Sequence, residues 1–259
     1  MNIGIFDSGL GGLTIIKTML ENLHGVEMFY IADTANAPYG EKTKEQIIDF
    51  STKITQYFID KFQIDALVVA CNTATSAAIK ELREQYPDLI IIGTEPGLKP
   101  AISHSHSKKV GILATPATLN GEKYKLLRDE LSKQYKVDVF EQACPGLVQQ
   151  IELGELDTPK TLSLLEGWLA PMREADVDTI VLGCTHYPLV GESIKKVMQR
   201  DVKLVETSHA ITKRVDELCH DSMKCKNGNS LKIFSTGEIS QSMIEMILTQ
   251  KYYITHIKI

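Results

Sequence analysis

Leu67-Val68-Val69-Ala70-Cys71-Asn72-Thr73 is a short apolar run that stops on a thiol and two polar side chains. It has a counterpart in Ile180-Val181-Leu182-Gly183-Cys184-Thr185-His186. Upstream of each lies a second matched pair, Ile3-Gly4-Ile5-Phe6-Asp7-Ser8 and Val110-Gly111-Ile112-Leu113-Ala114-Thr115. Gly4 precedes Cys71 by 67 positions and Gly111 precedes Cys184 by 73. Buried strands resemble one another by composition alone, but the shared order of both segments favours a repeat. Two α/β halves would then each deliver one cysteine from the same kind of turn.

Outward from these segments, apolar runs at Asn2 to Phe6, Met28 to Ala32, Ala66 to Ala70, Leu89 to Gly93 and Lys109 to Leu113 predict strands. Further strands are predicted at Val137 to Phe140, Thr179 to Leu182, Val202 to Val205 and Lys232 to Ser235. Charged amphipathic stretches between them, such as Thr43 to Phe62, Thr75 to Gln85, Gly121 to Tyr135 and Pro159 to Glu174, predict helices. Short strands alternating with helices specify βαβ units. The expected fold class is α/β, with two pseudo-symmetric domains of parallel sheet flanked by helices. The tail strand Lys232 to Ser235 is expected to complete the first sheet. That makes the N-terminal domain discontinuous, 1–95 plus 209–259, with the second domain at 96–208. Ligands of such sheets gather at the carboxyl ends of the strands, so the strand-to-helix turns are where chemistry is expected.

Composition narrows the partners. The 259 residues carry 28 basic and 33 acidic side chains, a net charge of -5, which offers no footprint for nucleic acid or an anionic membrane. No apolar run approaches the roughly 20 residues that span a bilayer, and no basic segment followed by an apolar one opens the chain. Five widely spaced cysteines, Cys71, Cys144, Cys184, Cys219 and Cys225, indicate free thiols in a reducing compartment, so a cytoplasmic protein is expected. Cys219, His220 and Cys225 form a loose cluster without the ligand spacing of a zinc site, and no metal is expected.

Cys71 ends a strand and precedes a helical pattern, where the positive end of the helix dipole lowers a thiol pKa. Amide groups of that turn, with Asn72 and Thr73, suit a carboxylate ligand. Cys184 repeats the arrangement, and His186 two residues on is placed to tune the thiol or carry its proton. A small buried core cysteine is the plain alternative for either. Gly9, Gly11 and Gly12 form a loop that can approach a ligand closely. It matches neither a P-loop nor a dinucleotide fingerprint. Asp7 reads either as a helix cap or as a base beside a thiol.

Asp7-Ser8-Gly9-Leu10-Gly11-Gly12-Leu13, Ala37-Pro38-Tyr39-Gly40, Ala70-Cys71-Asn72-Thr73-Ala74, Gly93-Thr94-Glu95-Pro96-Gly97 and Leu182-Gly183-Cys184-Thr185-His186-Tyr187-Pro188 resemble, in order, the signature blocks of bacterial glutamate racemases. Cys144-Pro145-Gly146-Leu147-Val148 with Glu152 resembles a further block. The resemblance covers roughly the first 210 residues. It implies two α/β domains with the active site in the interdomain cleft, and cofactor-independent interconversion of L- and D-glutamate that supplies D-glutamate to peptidoglycan. It implies Cys71 and Cys184 as the acid/base thiols, assisted by Asp7, His186 and Glu152. Asp7, Ser8, Tyr39, Gly40, Asn72, Thr73, Thr185 and His186 are implied to bind substrate, with Thr115 and Thr118 as further carboxylate contacts. The only partner this implies is the small-molecule substrate; a homodimer is compatible with it and not specified by it.

Two opposed thiols suit inversion of an α-carbon, since a proton must leave one face and another arrive at the opposite face. Three alternatives stay open on sequence alone. One is a racemase acting on aspartate or another acid. Another is a cysteine hydrolase with Cys71 as nucleophile and His186 as base. The last is a binding protein whose cysteines merely line a pocket.

Overall fold

The computed structural model describes residues 1–219 and 228–259, so His220 and Cys225 lie outside the described residues. In chain order the elements begin β1 (Asn2–Asp7), α1 (Leu13–Asn22), β2 (Glu27–Ala32), α2 (Lys44–Phe62), β3 (Ala66–Val69), α3 (Asn72–Gln85) and β4 (Ile90–Gly93). They continue with α4 (Leu98–His104), β5 (Lys109–Ala114), α5 (Pro116–Asn120), α6 (Glu122–Tyr135), β6 (Asp138–Ala143) and α7 (Leu147–Glu152). Then come α8 (Pro159–Glu174), β7 (Thr179–Gly183), α9 (Gly191–Met198), β8 (Lys203–Val205), α10 (Ser208–Cys219), β9 (Ser230–Ser235), α11 (Gln241–Leu248) and β10 (Ile254–His256). Single 3-10 turns stand at Tyr39–Glu41 and Tyr187–Val190.

These elements sort into two units, Met1–Thr94 with Ser208–Ile259, and Glu95–Thr207. Among the described residues, the first unit has a six-stranded sheet ordered β10-β9-β2-β1-β3-β4 and the second a four-stranded sheet ordered β6-β5-β7-β8. Every strand pair is parallel. Central strands such as β3 and β7 are buried at every residue, as expected when helices cover both faces of a parallel sheet. The tail strand β9 pairs with β2, and β10 extends the edge beyond it. Its three residues, Ile-Thr-His, carry too little apolar pattern to be seen in the sequence.

Each unit orders its matched strands alike, β2-β1-β3-β4 against β6-β5-β7-β8. Register agrees residue by residue. Gly4 pairs with Leu67 and Gly111 with Ile180, so both cysteines lie at the same distance past the pairing. The two glycines share a packing role. A Cβ on Gly4 would lie 3.0 Å from the Phe58 ring of α2, and one on Gly111 would lie 2.7 Å from Met172 Sδ of α8. Removing the Cβ lets a helix side chain settle directly onto the central strand.

The second unit holds a loop in place with one carboxylate. Asp178, just before β7, accepts hydrogen bonds from Ser105 Oγ at 2.7 Å, His106 N–H at 2.8 Å, Ser107 N–H at 2.7 Å and Thr179 Oγ1 at 3.0 Å. Partial burial works against its ionised form. The donors from Ser107, Ser105, His106 and Thr179 outweigh that and hold the carboxyl at about 2. The clamp thus fixes the turn through Lys108, whose φ of 60° is left-handed. We expect Asp178→Ala to lower stability at pH 7 by about 2 kcal/mol, the worth of a few charge-assisted bonds on a half-exposed group. Because the folded pKa is depressed, this contribution is complete above about pH 4 and disappears as pH falls through 2. Thermal melts of both proteins across that range should converge in acid.

Candidate active site

The first unit gathers its candidate residues at the carboxyl ends of β1, β2 and β3. Asp7 ends β1, one residue short of the level of Cys71, since Phe6 pairs with Val69. Its Oδ1 accepts the Gly9 N–H at 2.8 Å. Asp7 is therefore not the cap of α1, which starts after Gly12 without a side-chain cap. Nor is the Gly9 N–H left for a ligand, as the glycine-rich loop suggested; it is spent on Asp7. Tyr30 holds the same loop from below by donating its hydroxyl to the Gly9 carbonyl at 2.5 Å. A Cβ on Gly12 would come within 2.9 Å of both Asp7 Cβ and the Tyr30 ring, so this position stays a glycine for space.

Cys71 is the N-cap of α3, with Sγ accepting the Ala74 N–H at 3.5 Å. The helix starts three residues earlier than its polarity suggested, so Asn72 and Thr73 occupy its first turn. A thiol there meets the positive end of a 14-residue helix. Asn72 donates Nδ2 to the Thr94 carbonyl at 3.3 Å. Its Oδ1 is buried with no partner among the described residues. A buried acceptor left unpaired is costly unless something else supplies a donor. Tyr39 and Gly40 lie in the 3-10 turn after β2, and Tyr39 is buried. Burial, followed by the charges of Asp33, Cys71 and Asp7, raises the Tyr39 hydroxyl well above its ordinary 10, so it stays protonated. Ser8 and Thr73 are buried nearby in the chain.

The second unit uses the equivalent strand ends differently. Cys184 follows β7, but a 3-10 turn rather than an α-helix comes next. Cys184 Sγ lies 3.7 Å from His186 Nδ1, and His186 Nε2 lies 2.7 Å from Glu152 Oε1 at the end of α7. The carboxylate at that distance holds the ring in place beside the thiol. Thus His186 is paired with the thiol of its own turn, whereas the hydrolase alternative assigned it to Cys71. Register makes Ala114 the counterpart of Asp7, so the carboxylate at that strand end is missing here and the histidine–glutamate pair stands in for it. Thr115 caps α5 by accepting the Thr118 N–H at 3.3 Å, and the two hydroxyls are 3.0 Å apart. Thr185 is buried beside Cys184.

Cys144, one of the free thiols and part of a signature block, directly follows β6. Burial, reinforced by the neighbouring Cys184 charge, pushes its thiol up to about 12, so it is a neutral wall and not a proton carrier. Tyr187 is raised well above 10 by burial and by Cys184 and Cys144, and is likewise neutral. Cys219, buried in α10, is pushed up to about 11 by burial and then by Asp65 and Asp216.

The sequence profile of the Asp/Glu/Hydantoin racemase family matches residues 3–215. The chain belongs to this family. It is similar to a glutamate racemase of Sulfurovum sp. (strain NBC37-1), 56% identical over 251 residues that cover 96% of this chain and 95% of the relative. Among solved structures it is similar to the glutamate racemase isoform RacE1 of Bacillus anthracis, with a TM-score of 0.86 at 30% identity over 99% of this chain and 97% of the other. It is also similar to the Francisella tularensis glutamate racemase in complex with D-glutamate, with a TM-score of 0.85 at 28% identity over 99% and 97%. Among the described residues no helix is long and apolar enough to cross a membrane.

The tight fit at Gly12 has a measurable consequence. Gly12→Ala forces the Asp7 side chain or the Tyr30 ring to move, and we expect a loss of about 1–3 kcal/mol by denaturant unfolding, the usual cost of overpacking. Tyr30→Phe, which removes the bond to Gly9, should cost about 1 kcal/mol or more.

Proposed function

We propose that this racemase-family chain interconverts L- and D-glutamate without a cofactor, supplying D-glutamate for peptidoglycan in the cytoplasm. The observation that carries the reading is the matched pair of strand-end thiols, each with its own activating group. Cys71 caps helix α3 with Asp7 at the adjacent strand end, and His186, paired with Glu152, lies beside Cys184. Kinship over nearly the full length to proteins named glutamate racemases supports the choice of substrate.

In this reading one thiolate removes the α-proton while the other thiol delivers a proton to the opposite face. The roles exchange when the other enantiomer enters. A free thiol pKa of about 8.5 lies close enough to neutrality for both protonation states to be reached. Charge that accumulates on the substrate carboxylate in the transition state meets donors set in advance, the first-turn amides of α3 and the hydroxyls of Thr73 and Thr185. The unpaired Oδ1 of Asn72 suits the substrate ammonium, a donor that would satisfy it. Because the enantiomers have equal free energy, any variant must slow both directions of kcat/KM by the same factor.

A thiol, an imidazole and a carboxylate in line at Cys184, His186 and Glu152 are also what a cysteine hydrolase uses. The two readings part on the second thiol and on the α-hydrogen. L-Glutamate in deuterated water, followed by circular dichroism and proton NMR, should racemise with deuterium at the α-carbon. Cys71→Ser and Cys184→Ser should each lower the rate by about 10²–10⁴-fold, the range of one acid/base group. Glu152→Gln, which removes one charge-assisted bond of about 1.4 kcal/mol, should lower it about tenfold. Full turnover in either serine variant, or an acyl-enzyme seen by mass spectrometry, would overturn the proposal. Racemisation of aspartate at a comparable kcat/KM would overturn the choice of glutamate.

A further inference from the structure

Asp33 is a buried carboxylate, 1% exposed, that belongs to no block singled out in the sequence. It lies just past β2, and its N–H donates to the Asp7 carbonyl at 2.9 Å. The Tyr39 hydroxyl donates to its Oδ2 at 2.5 Å, and Asn36 Nδ2 reaches both oxygens at 3.1 Å. Its fourth contact comes from the far end of the chain. Thr236, immediately after β9, donates Oγ1 to Asp33 Oδ1 at 2.7 Å and accepts the Ala35 N–H at 3.0 Å. The Thr236 N–H itself is held by the Ala32 carbonyl at 3.1 Å.

Neighbouring bonds sew the two segments together. Thr34 Oγ1 and Ser235 Oγ are 2.9 Å apart, and the Gly237 N–H donates to Thr34 Oγ1 at 3.0 Å. A Cβ on Gly237 would lie 2.9 Å from the Ala35 nitrogen, so the contact is as close as backbones allow. Burying a carboxylate is costly even when it is fully bonded, and such groups are poor stabilisers. What this one does is orient. The Tyr39 hydroxyl has its proton committed to Asp33, so the position of the ring, and with it the turn carrying Gly40, follows Asp33.

We infer that Asp33 and Thr236 are positioning residues for substrate binding: Thr236 fixes the Asp33 carboxylate, which holds Tyr39 and sets the Tyr39-Gly40 turn. The inference rests on the reading that this turn binds glutamate. It assigns the tail of the chain a role in substrate affinity, although Thr236 acts only through Asp33 and Tyr39.

The test uses the full chain and kcat and KM for α-proton exchange of L-glutamate. Thr236→Val keeps the shape and loses the hydroxyl; we expect KM to rise about tenfold, the equivalent of one lost bond, with kcat within about twofold. Thr236→Ser should restore KM. In a Tyr39→Phe background, where the hydroxyl that Asp33 holds is gone, Thr236→Val should change KM less than about twofold, the non-additivity expected of a shared network. An unchanged KM in folded Thr236→Val, or its full effect in the Tyr39→Phe background, would overturn the inference. If Thr236→Val does not fold, Asp33→Asn is judged by the same KM criterion. Absence of exchange by the unmodified chain would overturn the glutamate reading instead.

Discussion

Parallel pairing of a central strand with its neighbour is the constraint on which both candidate sites depend. In such a pair the hydrogen bonds fix which residue leaves the sheet at the carboxyl end. Gly4 on Leu67 and Gly111 on Ile180 set the same register in both units, and each delivers a thiol to the same strand end. A slip of one residue would turn Cys71 or Cys184 into the opposite helix layer. Register is secured from below by helix side chains resting on the two glycines, Phe58 on one and Met172 on the other.

On this shared frame the two units have diverged in how they treat the thiol. The first unit relies on secondary structure, a 14-residue helix whose N-terminus faces Cys71, with Asp7 at the adjacent strand end. The second has no long helix after Cys184 and has alanine where Asp7 would stand, and it brings in Glu152 through His186. A helix end and a histidine–carboxylate pair are different physical surroundings for a thiol. Two thiols of differing electrostatic support can be tuned separately, which duplicated identical turns would not allow.

Much of this was legible in the sequence because it is local. Apolar runs mark the central strands, and the match of Ile3 to Ser8 with Val110 to Thr115 marks the repeat. Cys71 between a strand and a helix was legible too, although the polar residues after it hid that the helix begins at Asn72. What escaped depends on distant parts of the chain. The bond from His186 to Glu152 joins residues 34 apart, and the one from Thr236 to Asp33 joins residues 203 apart. Neither leaves a spacing pattern. The role of Asp7 was half visible: a carboxylate at a strand end suggested a cap or a base, and only the start of α1 after Gly12 removed the cap.

The discontinuity of the first unit also orders its assembly in time. Residues 95–207 are contiguous and close their sheet with strands that follow one another along the chain. The partner of β2 on its outer side, β9, is made only after that whole unit has been synthesised. Until then the nascent protein carries β2 as an open edge, a surface on which another chain can pair. The middle of the polypeptide is therefore the first part able to finish folding, and its beginning must wait for its end.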